Sequence, residues 1–587
     1  MSGAAPPARD AAWYAARVML DRLAARATAI ALAPLLALTL LGFTSGSSFA
    51  QPSGGWPPPG RPPHAPPHAP PSSVAGQALP ITGEGTIDLA TTSDVRIHGA
   101  DEQDELGISL ASGDFNGDGI DDLAIGAWLA DSFNDDRTNA GEVYVIFGRK
   151  VAHKPGAPGA RASDVVYGAR AGDRSGTAVA SGDWDGDGVA DLAVAARFAG
   201  AEQDTLPRRA GQVAILFGGA SAESAREIVD LKRDADLVVY GADEGDHLGR
   251  GVFLADLDAD GCADLLVAAV DADGPKNSRR DCGEVYCVWG GRRSGPRVDV
   301  DLLDFSGWSM IGVDPNDGVG RNMDAADLDA DGRLDLILAA SFADGSENAR
   351  TNAGDTYIVF GGTRDELSAK KDLARHADCV LFGSASYENS GSALATGDLD
   401  GDGLSDLAIG ANLADEPTTS RDMCGAVYLV RGRERGAWKR RVDLGRDADV
   451  TYFGQREGEQ IGLALAALRW SDDDALDLAV GANLASAGSP LRERAGKVLV
   501  LHGSGDLFAD AHAQLVLDAS ADRTVVGAGA KDQAGFSLGR IAWGAGRRES
   551  LVVGAPFADG PRDERSDAGE VYVLSGEAPA PTPPPAP

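Results

Sequence analysis

The chain has 587 residues, of which 43% are hydrophobic and only 6% aromatic, with 76 glycines and a formal net charge of −36. A length of this order suits either several ordinary domains or one array of repeats, so internal self-similarity decides the organisation. The excess of 89 Asp and Glu over 53 Lys and Arg repels nucleic acid and anionic lipid, and argues against both as partners.

At the N-terminus, Arg17, Arg22 and Arg26 precede an apolar run at 29–43, and Ser48, Phe49 and Ala50 form a small-x-small site. Residues 1–50 therefore have the layout of an export signal cleaved after Ala50. An uncleaved anchor is the alternative, because 27–44 is nearly long enough to cross a bilayer. Residues 51–83 are rich in Pro and include His64 and His68; they are expected to form an extended linker without a core of its own. The tail at 577–587 has the same character. The address these segments give is secreted or cell-surface.

From about residue 84 the sequence repeats. An acidic segment opens at Asp114, Asp183, Asp256, Asp327 and Asp398, at intervals of 69, 73, 71 and 71 residues. Two more copies, at 469–477 and 542–550, keep the flanks and lose most of the acids. A Gly-led apolar segment recurs at Gly141, Gly211, Gly283, Gly354, Gly425, Gly496 and Gly569, which makes seven units. Each unit holds four short β-rich segments between Gly and Asp turns, typified by 392–396, 406–411, 427–431 and 450–453. The pattern predicts an all-β, seven-bladed β-propeller of four-stranded antiparallel blades spanning 84–576. The seventh unit lacks a fourth strand, whereas the array starts with a stray one at 94–98. That N-terminal strand is expected to complete the last blade and cover its edge.

The acidic segments share the spacing Asp-x-Asp/Asn-x-Asp-Gly-x-x-Asp. The sets are Asp114, Asn116, Asp118 and Asp122; Asp183, Asp185, Asp187 and Asp191; Asp256, Asp258, Asp260 and Asp264; Asp327, Asp329, Asp331 and Asp335; and Asp398, Asp400, Asp402 and Asp406. So many carboxylates in a tight turn repel one another unless a hard dication takes their oxygens, and calcium suits the ligand number better than magnesium or zinc. Position seven is expected to add a backbone carbonyl, from Ile120, Val189, Cys262, Arg333 and Leu404. An EF-hand is excluded, because position twelve is Ile125, Val194, Val267, Leu338 or Ile409 rather than Glu.

With Phe147-Gly148 and Phe360-Gly361 on one side, and Gly554-Ala555-Pro556, Gly126-Ala127, Gly410-Ala411 and Gly481-Ala482 on the other, the units resemble FG-GAP repeats, the blades of the integrin α propeller. The resemblance implies about five calcium ions bound at the hairpins of a lower face, and ligands docking on the upper face. It does not extend calcium to the sixth unit, where Arg469 and Ser471 replace ligands, nor to the seventh, with Ala542, Gly544 and Gly546.

No catalytic constellation breaks the repeat. His98, His247, His376, His502 and His512 lack metal-ligand spacing, and neither a nucleophile elbow nor a phosphate-cradling loop is present. The five cysteines are Cys262, Cys282, Cys287, Cys379 and Cys424; a Cys262–Cys287 disulfide is one expectation, and buried thiols are the other. Variable loops between second and third strands should gather opposite the acidic hairpins, where recognition usually sits. The sequence thus points to a monomeric, exported binding or adhesion module for an extracellular protein or glycan, with no membrane insertion of the propeller. A secreted hydrolase or lyase acting on polysaccharide or lipid is the competing expectation.

Overall fold

The computed structural model describes residues 85–576, apart from short stretches of connecting loop, the longest at 149–157, 201–209 and 220–227, and a short preceding strand at Ser72–Ala75. The expected export signal, nearly all of the linker and the C-terminal tail lie outside the described residues.

Seven small sheets follow one another along the chain and form a seven-bladed β-propeller. In blade five, Ser390–Gly397, Asp406–Ala411, Ala426–Val430 and Val450–Phe453 pair in that order, each antiparallel to the last. The second and fourth strands fall where the sequence places them. The first begins earlier, because a register shift between Ser390 and Ala393 lets it pair past the expected start. Second strands such as Asp122–Ala127 are buried at every position, which suits a central strand packed on both faces.

The Gly-Ala pair that ends several second strands has a steric reason. A Cβ on Gly410 would lie 2.0 Å from the Gly462 carbonyl oxygen of the next blade, and one on Gly126 would lie 2.3 Å from that of Gly176. Neighbouring blades approach closely there, so only glycine fits.

Apolar side chains collect in seven clusters, each between one blade and the next. One of them joins the last blade to the first, with Val552, Val571 and Val573 packed against Leu123, Ile125 and Tyr144. The ring is closed by the N-terminal strand Val95–His98, which pairs antiparallel with Glu570–Leu574. Ile97 is fully buried in the cluster between the last and first blades. Arg96 and His98 both bond Glu570, with Nη2 and Nδ1 each 2.6 Å from its carboxylate. Burial alone raises the Glu570 pKa, but the His98 hydrogen bond and the Arg96 charge hold it below its usual value.

Four antiparallel strands per blade do not complete the account. After four of the third strands the chain crosses to the outer edge of the preceding blade and pairs there in parallel before returning. Ile228–Asp230 does so on blade one, Val298–Asp301 on blade two, Arg441–Asp443 on blade four and Ala513–Val516 on blade five. Gly85–Asp88 covers blade six in the same way, beside Arg523–Val526. Asp230, Asp443 and Asp88, at the ends of three of these strands, each cap the next turn, as does Asp372 at the matching single bridge to Ile311 of blade three. An Arg from the preceding blade grips each one. Arg137 meets Asp230, Arg279 meets Asp372 and Arg492 meets Asp88, each at 2.7 Å, while Arg350 meets Asp443 at 2.5 Å. Edge strands are covered and blades are tied pairwise.

The Cys262–Cys287 disulfide is not formed, and all five thiols are free. Cys287 points into the core between blades three and four, and burial pushes its thiol well above the usual range. Cys262 faces the other way, toward blade two, where a Cβ on Gly186 would lie 2.8 Å from its Sγ.

Candidate metal centres

The five acidic segments are the hairpins between first and second strands of blades one to five, all at one end of the blades. Their backbones are shaped by the carboxylates themselves. In hairpin two, Asp183 accepts the Asp187 and Gly188 amides at 3.0 and 2.8 Å. The same pair of bonds forms at Asp114, Asp256 and Asp327, while Asp398 takes the Gly401 and Gly403 amides. The amide of position seven donates to position five in every hairpin: Ile120 to Asp118, Val189 to Asp187, Cys262 to Asp260, Arg333 to Asp331 and Leu404 to Asp402.

Position nine does more than the sequence reading gives it. Asp122, Asp191, Asp264, Asp335 and Asp406 are buried, and each carboxylate bridges two backbone amides. In hairpin two one oxygen of Asp191 accepts Trp184 at 2.7 Å and the other accepts Gly218, just past the third strand, at 2.8 Å. Burial pushes all five up to about 7. Asp477 makes the same bridge in blade six, from Trp470 to Gly503, although Arg469 and Ser471 replace the first two ligands there. The ninth Asp is therefore a staple between the hairpin and the third strand, with or without a metal. Its survival in the sixth unit was the signal in the sequence.

Position three turns inward. In hairpins two to five, one oxygen from each of three acids lies within 4.8 Å of the others: Asp183, Asp185 and Asp191; Asp256, Asp258 and Asp260; Asp327, Asp329 and Asp335; Asp398, Asp400 and Asp406. Burial, with the adjacent carboxylates, raises the pKa of Asp185, Asp258 and Asp400. Asp258 Oδ1 is buried without a hydrogen-bond partner among the described residues. An all-oxygen donor set with an orphaned carboxylate oxygen fits a hard dication. Hairpin one differs, because Asn116 turns its amide toward Asp122 at 3.3 Å and brings one charge fewer.

Arginines that the sequence reading did not single out approach these sites. Arg364 lies 3.9 Å from Asp258, Arg431 lies 3.0 Å from Asp400, and Arg435 contacts both Asp329 and Asp331. Each is stacked on an aromatic ring, Trp289, Phe508 and Phe360 respectively.

The opposite end of the blades carries a connected cluster of cationic and aromatic residues. Arg174 stacks on Trp128 at 4.9 Å and on Phe198 at 4.8 Å, and Arg197 also lies over Phe198. His247 packs edge-on to Phe198 and bonds Asp271 at 2.8 Å. The connections from fourth to first strands at the same end each carry a buried acid: Asp104, Asp173, Asp246, Asp317, Glu388, Glu459 and Asp532.

The FG-GAP repeat model matches residues 106–146, 175–216 and 390–430, which are the first three strands of blades one, two and five. Phosphatidylinositol-glycan-specific phospholipase D of Bos taurus is 31% identical over 210 residues, covering 33% of this chain and 24% of that protein. Integrin alpha-IIb of Homo sapiens is 34% identical over 181 residues, covering 30% of this chain and 16% of the integrin. Integrin alpha-5 of Xenopus laevis is 33% identical over 138 residues, covering 23% and 11%. The chain thus spans about a quarter or less of the length of these relatives.

Proposed function

We propose, from the premise that this chain carries FG-GAP repeats homologous to those of integrin α subunits, that it is an exported calcium-binding propeller that recognises an extracellular protein or glycan. The observation that carries the reading is the contrast between the two ends of the blades. One end gathers hard-oxygen ligands in repeated hairpins, which calcium would hold rigid. The other presents Arg174, Arg197, Trp128, Phe198 and His247 together, residue types that dominate recognition surfaces. In hairpins two, three and five the carboxylates would hold the ion, whose contribution is to neutralise them and fix the turn. Among the described residues no helix is long and apolar enough to cross a membrane.

The reading is tested by binding the full chain to protein and glycan arrays with calcium and with chelator. A ligand bound only with calcium, and lost in a Trp128→Ala, Arg174→Ala double variant, supports it. Binding that ignores both changes contradicts it. The second reading, a propeller belonging to a secreted hydrolase or lyase of polysaccharide or lipid, draws on the phospholipase D relatives. A repeat shared by a hydrolase and by integrins carries no single activity, so binding is the better-supported reading. Turnover of a phosphatidylinositol-glycan substrate by the purified chain would reverse that order.

A further inference from the structure

We propose that the fourth hairpin is closed by Arg435 and takes no calcium at concentrations that fill hairpins two, three and five. The inference rests on the calcium reading above and concerns which hairpins it applies to.

Arg435 opens the short turn Arg435–Ala437, which follows the third strand of blade five, and reaches back to blade four. Its Nε donates to Asp329, and its Nη2 lies 2.7 Å from Asp331 Oδ2. These are positions three and five of the hairpin, two of the carboxylates an ion needs. The Asp329 side chain is fully buried, and the guanidinium sits 4.9 Å over the Phe360 ring. The cation is thus fixed by its fork and by its face, an arrangement that a lysine or a water could not reproduce. Arg333, at position seven of the same hairpin, adds a second positive charge to the turn.

The other hairpins lack this bridge. Near hairpin two, Arg292 reaches the Gly186 carbonyl at 3.4 Å. At hairpin three, Arg364 stays 3.9 Å from Asp258, and at hairpin five, Arg431 meets Asp400 alone. Hairpin four is the one, among the described residues, where a single guanidinium joins two ligand carboxylates. Calcium entering there must break two charge-assisted bonds, so its affinity falls roughly 10- to 100-fold below that of hairpin two.

The test counts calcium bound to the full chain by native mass spectrometry and calorimetry. Arg435→Gln should bind one ion more than wild type, because the arginine is half exposed and its loss frees the carboxylates. Asp329→Asn in the wild-type background should leave the count unchanged, whereas Asp185→Asn should lower it by one. This arm holds even if Arg435→Gln folds poorly. Equal counts for wild type and folded Arg435→Gln, or a lowered count in Asp329→Asn, overturn the proposal while leaving the calcium reading intact. No calcium in any of the proteins refutes the calcium reading itself.

Discussion

Removing the N-terminal strand should open the ring, and the size of the effect follows from what that strand covers. Val95 and Ile97 are buried between the last and first blades, and each such side chain contributes about 1.5–3 kcal/mol on leaving water. Losing Arg96 and His98 leaves the buried Glu570 carboxylate with the Tyr572 hydroxyl but no cation, which costs about 3–5 kcal/mol more. The total, roughly 6–11 kcal/mol, rivals the whole stability of a typical domain. A chain starting at Gly99 should therefore show no cooperative urea transition. One starting at Gly85, which loses only the Ser72–Ala75 strand on the outer side of the closing strand, should keep a cooperative transition close to that of the full protein. A chain starting at Thr91 keeps the closing strand and loses the cover on blade six, including Ile87 and Leu89, and should fall between them. Ile97→Ala in the full chain isolates the packing part and should cost about 2–5 kcal/mol. If the chain starting at Gly99 unfolds at the same urea concentration as that starting at Gly85, the closure argument fails.

Three further outcomes follow from single residues. Lys497, buried in blade six, pairs with Glu459 at 3.2 Å and also with Asp518, so Lys497→Met should cost about 3–5 kcal/mol in urea unfolding at neutral pH; no change would show the pair contributes nothing. Asp477→Ala should cost about 2–6 kcal/mol by orphaning the Trp470 and Gly503 amides, equally with calcium and with EDTA; an effect seen only with calcium would contradict the staple role. Burial, with the Asp317 charge beside it, pushes Asp355 up to about 8. The native carboxyl then keeps a proton that the unfolded chain releases from about pH 4, so this group lowers stability progressively until about pH 8. Asp355→Asn should remove that slope, gaining up to about 1.4 kcal/mol per pH unit relative to wild type between about pH 5 and 8. Parallel pH profiles for the two proteins would refute it.

The blades were legible in the sequence because their determinants are local. Gly and Asp turns bound each strand, and a steric requirement at Gly126 or Gly410 repeats with the blade. The closing strand was legible from a count of strands, since a missing fourth strand at one end matched a stray one at the other. The parallel edge strands escaped because Ile228–Asp230 or Arg441–Asp443 carry only three residues each, too short for alternation to show. Their Asp and the gripping Arg lie 93 residues apart in three of the four pairs, a separation longer than the repeat itself. The acidic hairpins were legible as a spacing, but Arg435 was not. It reaches Asp329 from 106 residues away, across a blade boundary, and no motif within one repeat records that contact. The Cys262–Cys287 expectation failed on side-chain direction, since proximity along adjacent strands does not say which neighbouring blade each thiol faces.

The most direct measurement is thermal unfolding of the full chain, followed by circular dichroism, in free calcium and in EDTA. Each hairpin that binds in the folded ring alone adds about 2.7 kcal/mol when calcium exceeds its dissociation constant a hundredfold. Several such sites should raise the melting temperature strongly with calcium and lower it in chelator. Identical melting curves in calcium and EDTA would contradict the claim that divalent ions hold the acidic hairpins of this propeller.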